Sequence, residues 1–228
     1  MLIAGLAKSS LVDYPGLISC VLFTPGCNYN CFYCHNRSLI NGSPELLNPY
    51  AVHTFFSQRV GLLDGIVITG GEPTLQSDLV AYIAELKPLG FKIKLDTNGS
   101  APQIIKQLLQ NNACDYYAVD FKAPPLRYRE ICGPKANPTN VLKTIQLLLQ
   151  TEVAFEVRTT VLPGFSEADL LCIAQSLPVL PRYVLNRYRI PENYLPGDHD
   201  RIQQKACSQE QINALLPLIR RYQPNATT

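Results

Sequence analysis

Three cysteines, Cys27, Cys31 and Cys34, follow one another closely after a short apolar segment. The stretch also contains glycine and asparagine, so a loop could turn the three thiolates toward one centre. A structural zinc site needs four ligands, and His35, adjacent to Cys34, is poorly placed to complete the same tetrahedron. A cubane iron–sulfur cluster normally takes four cysteines, so three would leave one iron open to a substrate or cofactor. The spacing therefore favours a catalytic iron–sulfur site and leaves structural zinc as the alternative.

The composition is compatible with such a site in a reducing compartment. Eight cysteines among 228 residues are too few for a disulfide scaffold. No basic n-region precedes the first apolar stretch, and no apolar run reaches the about 18 residues that span a bilayer. We therefore expect a cytoplasmic protein with reduced thiols. The formal net charge of +2 gives no reason to expect nucleic acid or a membrane as a partner.

A second segment, Gly70-Gly71-Glu72-Pro73, follows a later apolar run. Glycines at the end of a strand let the backbone approach a ligand closely. The carboxylate beside them suits an ammonium group. An ordinary tight turn has the same composition, so this segment alone leaves both interpretations open.

Polar residues also close two further apolar runs. They are Asp96, Thr97, Asn98 and Gly99 after one run, and Asp120 and Lys122 after the next. Turn formation or helix capping would explain them without any function. Arg158 lies inside an apolar strand, where a charge needs a partner. Its candidates are the carboxylate of a ligand and an acid of this chain such as Glu156, which should share its face.

Alternating strands and helices must position these residues. The predicted strands cover 17–23, 65–69, 91–96, 116–121, 155–161 and 182–188, and the predicted helices cover 49–60, 78–87, 102–111, 140–150, 167–176 and 208–222. Asn48, Ser166 and Ser208 are predicted N-caps. The alternation favours βαβ units and a parallel sheet, open or closed into a barrel, with ligands at the carboxyl ends of the strands. The glycine–glutamate segment and both polar segments fall at such ends.

The cysteine segment, Cys27-x3-Cys31-x-Tyr33-Cys34, resembles the signature of the radical S-adenosylmethionine (SAM) superfamily. The resemblance implies one [4Fe-4S] cluster, held by the three cysteines, whose remaining iron chelates the amino and carboxylate groups of S-adenosylmethionine. One electron from the cluster then breaks the sulfonium C–S bond and releases a 5′-deoxyadenosyl radical. Tyr33 would lie near the adenine. The fold expected is α/β, an incomplete (β/α)6 TIM-like barrel in one domain, residues 1–228, with the cluster loop at 24–36.

The other motifs take roles from the same resemblance. The implied cofactor-binding residues are Gly70, Gly71, Glu72, Asp96, Thr97, Asp120, Lys122 and Arg158. Glu72 would bind the cofactor's amino group, and Arg158 its carboxylate. A monovalent cation near that carboxylate is compatible with the resemblance. Tyr188-Arg189 stands where some glycyl-radical-enzyme activases carry a histidine, so the contact made there is left open.

The subfamily signal lies at residues 5–16, GLAKSSLVDYPG, together with His35-Asn36 directly after the cysteines. These segments look like activating proteins of anaerobic (class III) ribonucleoside-triphosphate reductase. The implied reaction is abstraction of a glycine hydrogen, which installs a glycyl radical on that partner, with a flavodoxin- or ferredoxin-type electron donor. Asp13 becomes a candidate contact to the partner, with a type I or II turn as its alternative.

Three other functions remain open from the sequence. The chain could activate another glycyl radical enzyme of the pyruvate formate-lyase type, act on a small molecule as 7-carboxy-7-deazaguanine synthases do, or be a zinc-stabilised binding module. Segments 122–139 and 191–207 exceed the usual loop length and are predicted to contact the partner. Cys114, Cys132 and Cys207 have no ligand spacing, and we expect ordinary thiols there.

Overall fold

The structure is a computed structural model that describes residues 1–40 and 43–228. Its strands are β1 (Gly5–Ser10), β2 (Ser19–Thr24), β3 (Gly65–Gly70), β4 (Lys92–Thr97), β5 (Tyr116–Asp120), β6 (Ala154–Val161), β7 (Tyr183–Arg187) and β8 (Ala226–Thr227). Its helices are α1 (Arg37–Ile40), α2 (Pro49–Ser57), α3 (Leu79–Leu86), α4 (Pro102–Gln110), α5 (Tyr128–Cys132), α6 (Pro138–Leu149), α7 (Glu167–Ser176), α8 (His199–Ile202) and α9 (Gln209–Ile219). The strand order of the sheet follows the chain from β1 to β8. Across the described residues, no helix combines the length and the apolar character that a membrane span needs.

The chain divides into two compact units, and the first comprises Met1–Asn28, Ser38–Thr97 and Gln103–Ala118. In this unit β1 pairs antiparallel with β2, whereas β2 with β3 and β3 with β4 pair in parallel. The middle of β3 is fully buried, as expected for a parallel strand covered on both faces. The carboxyl ends of β2 and β3 therefore lie side by side, with Thr24 opposite Gly70.

The second unit comprises Tyr29–Arg37, Asn98–Pro102 and Val119–Thr228. Here β6 pairs in parallel with β7, and β7 with β8. Helix α6 packs on the backbone that follows β4, because the Thr144 hydroxyl donates to the Gly99 carbonyl at 2.8 Å. The prediction of a single domain over residues 1–228 stays a prediction.

The predicted fold class, an α/β fold with a mostly parallel sheet of the incomplete-barrel type, is confirmed. Helix α7 has the predicted bounds, and the ends of the other five predicted helices differ by up to three residues. The three predicted N-caps are observed: Asn48 accepts from the Tyr50 and Ala51 amides, and Ser166 and Ser208 each form a capping box. Local periodicity and capping chemistry were therefore enough to predict these helices.

Two strands were missed, and two segments predicted as loops contain helices. Strand β1 is polar and lies at the edge of the sheet, and β8 has two residues, so neither carries the apolar alternation that marks a strand. The predicted loops 122–139 and 191–207 contain α5 and α8, each of five residues or fewer. Helices this short have too few turns to show a periodic pattern.

Candidate active site

The glycine pair after β3 packs directly on the start of the cluster loop in the first unit. The Gly71 amide donates to the Thr24 carbonyl, and the Glu72 amide to the Gly26 carbonyl, both at 2.8 Å. A Cβ on Gly71 would lie 1.9 Å from the Gly26 oxygen, and Gly70 has φ +121° with a Cβ position 2.3 Å from the Thr24 nitrogen. Close approach of two backbones therefore requires both glycines. From the sequence, we expected these glycines to allow close approach to a ligand.

Glu72 is fully buried at the carboxyl end of β3. Its Oε1 accepts hydrogen bonds from the Thr74 amide at 3.1 Å, the Thr74 hydroxyl at 2.6 Å and the Thr97 hydroxyl at 2.7 Å. Glu72 also N-caps the short 3₁₀ turn Pro73–Leu75. Glu72 therefore both stabilises a tight turn and presents a carboxylate, the two roles that the sequence left open for this segment. The structure brings Glu72 and Thr97, both predicted cofactor-binding residues, into direct contact.

Lys94 joins two other predicted site residues of the first unit. Its buried ammonium lies 2.7 Å from Asp96 Oδ1 and donates to the Asp13 carbonyl at 2.6 Å. The Asp13 carboxylate accepts from the Ser10 hydroxyl at 2.5 Å, so it also stabilises the predicted turn. Lys94 was not among the predicted site residues, although a lysine inside the apolar run of β4 carries the same signal as Arg158.

Cys31 and Cys34 occupy one turn of the cluster loop in the second unit. The Cys34 amide donates to the Cys31 carbonyl at 3.2 Å. The buried guanidinium of Arg37 donates to the Cys31 carbonyl and to Asn30 Oδ1, which fixes the turn from inside. Cys27 belongs to the first unit. Within residues 1–40 and 43–228, no three His, Cys, Asp or Glu side chains form a ready-made metal site, so convergence of the three thiols stays a prediction.

Cys31 lies in surroundings that favour a thiolate. A hydrogen bond from Cys132 and the nearby positive charges of Lys122 and Arg37 hold the pKa of the Cys31 thiol below its usual value, against the opposing effect of burial. Burial raises the pKa of Cys34, and the charge of Cys31 adds to the rise. A thiolate is the form that ligates iron. The donor set and its charges therefore fit an iron–sulfur cluster, for which these residues supply two of the three predicted ligands.

The aromatic residues beside the cysteines are packed against other parts of the second unit. Tyr33 is buried, which raises the pKa of its phenol well above the usual value. Phe32 contacts Tyr33 edge-on at 5.3 Å and lies under the Arg201 guanidinium, 4.1 Å from the ring centroid. This packing restricts the loop between Cys31 and Cys34.

Asp120, Lys122 and Arg158 form one ion-paired group. Lys122 Nζ lies 2.8 Å from Asp120 Oδ2, and Arg158 Nε lies 3.0 Å from Asp120 Oδ1. Burial would raise the pKa of Asp120, but the two cations hold it well below its usual value. Burial likewise opposes the charge of Lys122, whereas Asp120 raises its pKa well above the usual range. The structure thus brings together three predicted cofactor-binding residues as charged groups.

Arg158 pairs with an acid of this chain, Asp120, which was one of the two kinds of partner expected. Glu156, the acid named as an example, pairs with Arg182 at 2.9 Å. The ion pair with Asp120 uses Arg158 Nε, and the Arg158 carbonyl accepts from the Phe121 amide at 2.9 Å. Arg158 is therefore oriented by the chain segment that carries Asp120 and Lys122.

Tyr188 and Arg189, which follow β7, both form hydrogen bonds within the second unit. The buried Tyr188 hydroxyl donates to the Ile202 carbonyl at 3.1 Å. His35, which follows Cys34, hydrogen-bonds to the Arg189 backbone, and its burial lowers the pKa of the imidazole. The histidine next to the cluster loop thus contacts the segment after β7.

Comparison with known proteins supplies the family. The model of the radical SAM superfamily matches residues 21–177, more than half of the chain, including all three cysteines and the glycine–glutamate segment. This chain belongs to the radical SAM superfamily. The family implies a [4Fe-4S] cluster and S-adenosylmethionine, which the thiols and charged groups described above fit.

Two kinds of relative match this radical SAM chain. A protein of Methanocaldococcus jannaschii, provisionally named a glycyl-radical enzyme activating enzyme, is 36% identical over 200 residues, which cover 85% of this chain and 82% of the relative. A protein of Sulfurisphaera tokodaii named a probable GTP 3′,8-cyclase is 42% identical over 121 residues, 51% of this chain and 38% of the relative. The chain thus spans most of the first relative and less than half of the second.

Solved structures share the fold. TYW1 with a lysine–pyruvate adduct has a TM-score of 0.64 at 19% identity, covering 90% of this chain and 73% of that one. Streptococcus suis SuiB bound to S-adenosylmethionine also has a TM-score of 0.64, at 15% identity, covering 89% of this chain and 48% of that one. These likenesses confirm the predicted fold class.

Proposed function

We propose that this radical SAM protein is an activating enzyme that installs a glycyl radical on anaerobic ribonucleoside-triphosphate reductase. The similarity to the Methanocaldococcus jannaschii protein carries the proposal, because it extends over 82% of that relative's length. The segment at residues 5–16, which resembles activators of that reductase, supports the choice of partner.

Cys27, Cys31 and Cys34 are the proposed ligands of one [4Fe-4S] cluster. When bound, the cluster supplies the electron that cleaves the sulfonium bond of S-adenosylmethionine. The chain contributes a restrained loop: Arg37 holds the backbone of Cys31 in place. Positive charge near the Cys31 sulfur compensates the negative charge of a thiolate-ligated cluster. A flavodoxin- or ferredoxin-type protein is the proposed electron donor.

Two groups of residues are proposed to bind S-adenosylmethionine. They are Gly70, Gly71, Glu72, Asp96 and Thr97 in the first unit, and Tyr33, Asp120, Lys122 and Arg158 in the second. The Glu72 carboxylate, oriented by Thr74 and Thr97, receives the ammonium of the cofactor. Asp120 orients the cations of Lys122 and Arg158, which are suited to the carboxylate of S-adenosylmethionine. A guanidinium can bind a carboxylate through paired hydrogen bonds. A monovalent cation beside that carboxylate stays a prediction.

Asp13 is the proposed contact to the protein partner. The buried Lys94 holds the backbone of this turn in place, because its ammonium donates to the Asp13 carbonyl. The preceding residues Leu11 and Val12 are 76% and 87% exposed. A surface turn with a fixed backbone and exposed apolar side chains can hold a partner segment at small entropic cost.

The test uses a reductase labelled with deuterium at glycine Cα. Under anaerobic conditions with a reductant, this protein should transfer one deuterium to 5′-deoxyadenosine, which mass spectrometry detects. The Cys31→Ala variant should form neither 5′-deoxyadenosine nor methionine, since it lacks a cluster ligand. Unlabelled 5′-deoxyadenosine from the wild-type protein and the labelled reductase would contradict the assignment.

Parallel incubations separate the alternatives. Deuterium transfer from labelled pyruvate formate-lyase, but not from the reductase, would keep the activase chemistry and change the partner. Consumption of GTP or a deazaguanine precursor with no transfer from either protein would replace the protein substrate by a small molecule. Zinc without iron after anaerobic reconstitution would overturn the radical chemistry.

A further inference from the structure

We propose that Cys132 is a positioning residue for the cluster: its thiol donates a hydrogen bond to the sulfur of Cys31 and thereby raises the reduction potential of the cluster. The inference rests on the proposed function, in which Cys31 is an iron ligand. Cys132 lies at the end of α5, far along the chain from the three cysteines, and its spacing gave no indication of a role.

Backbone contacts place the two cysteines together independently of their thiols. The Asn30 amide, directly before Cys31, donates to the Cys132 carbonyl at 2.8 Å. Gly133 follows with φ +92°, and a Cβ on it would lie 3.1 Å from Asn30 Cβ and 3.2 Å from the Asn30 nitrogen. The end of α5 is therefore packed closely against the cluster loop, with a glycine at the point of closest approach.

The side chains continue this contact. Both side chains are buried where these backbones meet, since Cys132 is fully buried and Cys31 is 8% exposed. A sulfur that ligates iron is a thiolate and can only accept a hydrogen bond. Cys132, which is outside the three-cysteine signature, is therefore the donor of this pair.

Hydrogen bonds to ligand sulfurs are among the factors that set the potential of an iron–sulfur cluster. A donor draws electron density from the sulfur, and this stabilises the reduced cluster, which carries one more negative charge. Removing the donor should therefore lower the potential. The contact orients the ligand as well, because α5 is fixed by its own partners.

Tyr128 supplies the contacts that hold α5. Tyr128, at the start of α5, accepts a hydrogen bond from the Lys122 amide at 3.1 Å and contacts Tyr29 edge-on at 6.4 Å. Neither contact involves the Cys132 thiol. The helix should therefore keep its place when Cys132 is replaced by a residue of similar or smaller size.

The test is a potentiometric titration of the full-length protein, reconstituted anaerobically with iron and sulfide and followed by electron paramagnetic resonance. Cys132→Ala should shift the redox equilibrium roughly tenfold toward the oxidised cluster, which is a fall of about 59 mV for one electron. Cys132→Ser keeps a donor and should stay within about threefold of the wild type. Cys114→Ala is the matched control, because Cys114 is another buried thiol outside the three-cysteine signature; it should leave the potential unchanged.

The outcomes separate this inference from the proposed function. An unchanged potential in Cys132→Ala, with a cluster that still cleaves S-adenosylmethionine, overturns the inference and leaves the proposed function intact. If the alanine variant loses its cluster, the serine variant decides: a potential like the wild type supports the inference, and a lowered one overturns it. Loss of the cluster in both variants makes Cys132 a structural residue and also overturns it. A wild-type protein that takes up no cluster ends both proposals.

Discussion

Glu72 and Asp120, both proposed to help bind the cofactor, have different kinds of hydrogen-bond donor beside them. Glu72 Oε1 in the first unit accepts hydrogen bonds from three uncharged donors on Thr74 and Thr97. Asp120 in the second unit lies between the cations of Lys122 and Arg158. Amide and hydroxyl groups orient Oε1 of the first carboxylate, and the second carboxylate compensates positive charge.

The difference indicates two separate tasks. The amide and hydroxyl donors fix the position of Glu72 Oε1, which suits an acid that must attract an ammonium group. The charge of Asp120 offsets the desolvation cost of two partly buried cations, and its oxygens orient them. On this account Glu72 binds, whereas Asp120 orients the groups that bind. Four substitutions test this division, from the largest expected effect to the smallest.

Gly71→Ala should have the largest effect. A Cβ at this position would lie 1.9 Å from the Gly26 oxygen, so the two backbones that set the position of Glu72 must separate. We expect the free energy of unfolding to fall by about 3 kcal/mol, at the upper end for overpacking, measured by urea denaturation. Gly197→Ala is the control, since no atom lies within 4 Å of its Cβ position; equal losses in both variants would contradict the close approach.

Asp120→Asn should lower the free energy of unfolding by about 2 kcal/mol near pH 6, because two partly buried cations lose their charged partner. The pKa of Asp120 is depressed in the folded state, so its contribution is complete above the unfolded pKa of about 3.9 and is lost as the pH falls below it. The difference between wild type and variant should therefore shrink between pH 6 and pH 3.

Glu130→Gln serves as the control for this pH series. Glu130 is 52% exposed in its pair with Arg127, and exposed pairs contribute about 0.5 kcal/mol or less. A pH-independent difference for Asp120→Asn would show that the carboxylate does not compensate the two cations.

Glu72→Gln should leave stability nearly unchanged, because the amide oxygen can still accept from Thr74 and Thr97. The affinity for S-adenosylmethionine should fall about tenfold, as expected when a hydrogen bond to a charged group is lost. Anaerobic calorimetry measures this, with Glu156→Gln as the control, since that buried acid pairs with Arg182. Wild-type affinity in Glu72→Gln would remove Glu72 from the cofactor site.

Arg201→Gln should have the smallest effect. Its guanidinium lies 4.1 Å from the Phe32 centroid, whereas that of Arg59 in the first unit lies 5.4 Å from Phe55. Cation–π contacts at exposed sites contribute roughly 0.5–1 kcal/mol, so we expect a loss of about 0.5 kcal/mol in urea and less for Arg59→Gln. A larger loss of unfolding free energy in Arg59→Gln than in Arg201→Gln would show that the contact between Arg201 and Phe32 does not restrain the cluster loop.

The sequence was sufficient where the signal is local. The capping boxes at Ser166 and Ser208 and the buried run of β3 are readable from neighbouring residues. The cysteine spacing identified the superfamily that the family-model match over residues 21–177 then confirmed. The polar edge strand β1 carries no such pattern, and its place depends on pairing with β2.

Partnerships between distant residues could not be predicted in the same way. The charge of Arg158 in an apolar strand correctly indicated a partner, but its pairing with Asp120 depends on how separate strands pack. Cys132 meets Cys31 only because α5 docks on the cluster loop. Lys94 likewise links Asp13 to Asp96 through tertiary structure.

The central claim, that this radical SAM protein activates a glycyl radical enzyme, is tested most directly by electron paramagnetic resonance of the anaerobic reductase. The reductase is incubated with this protein, S-adenosylmethionine and a reductant. The account predicts a glycyl doublet that is absent when Cys31→Ala replaces the wild-type protein. Cleavage of S-adenosylmethionine by the wild-type protein with no doublet on the reductase or on any other glycyl radical enzyme would contradict it.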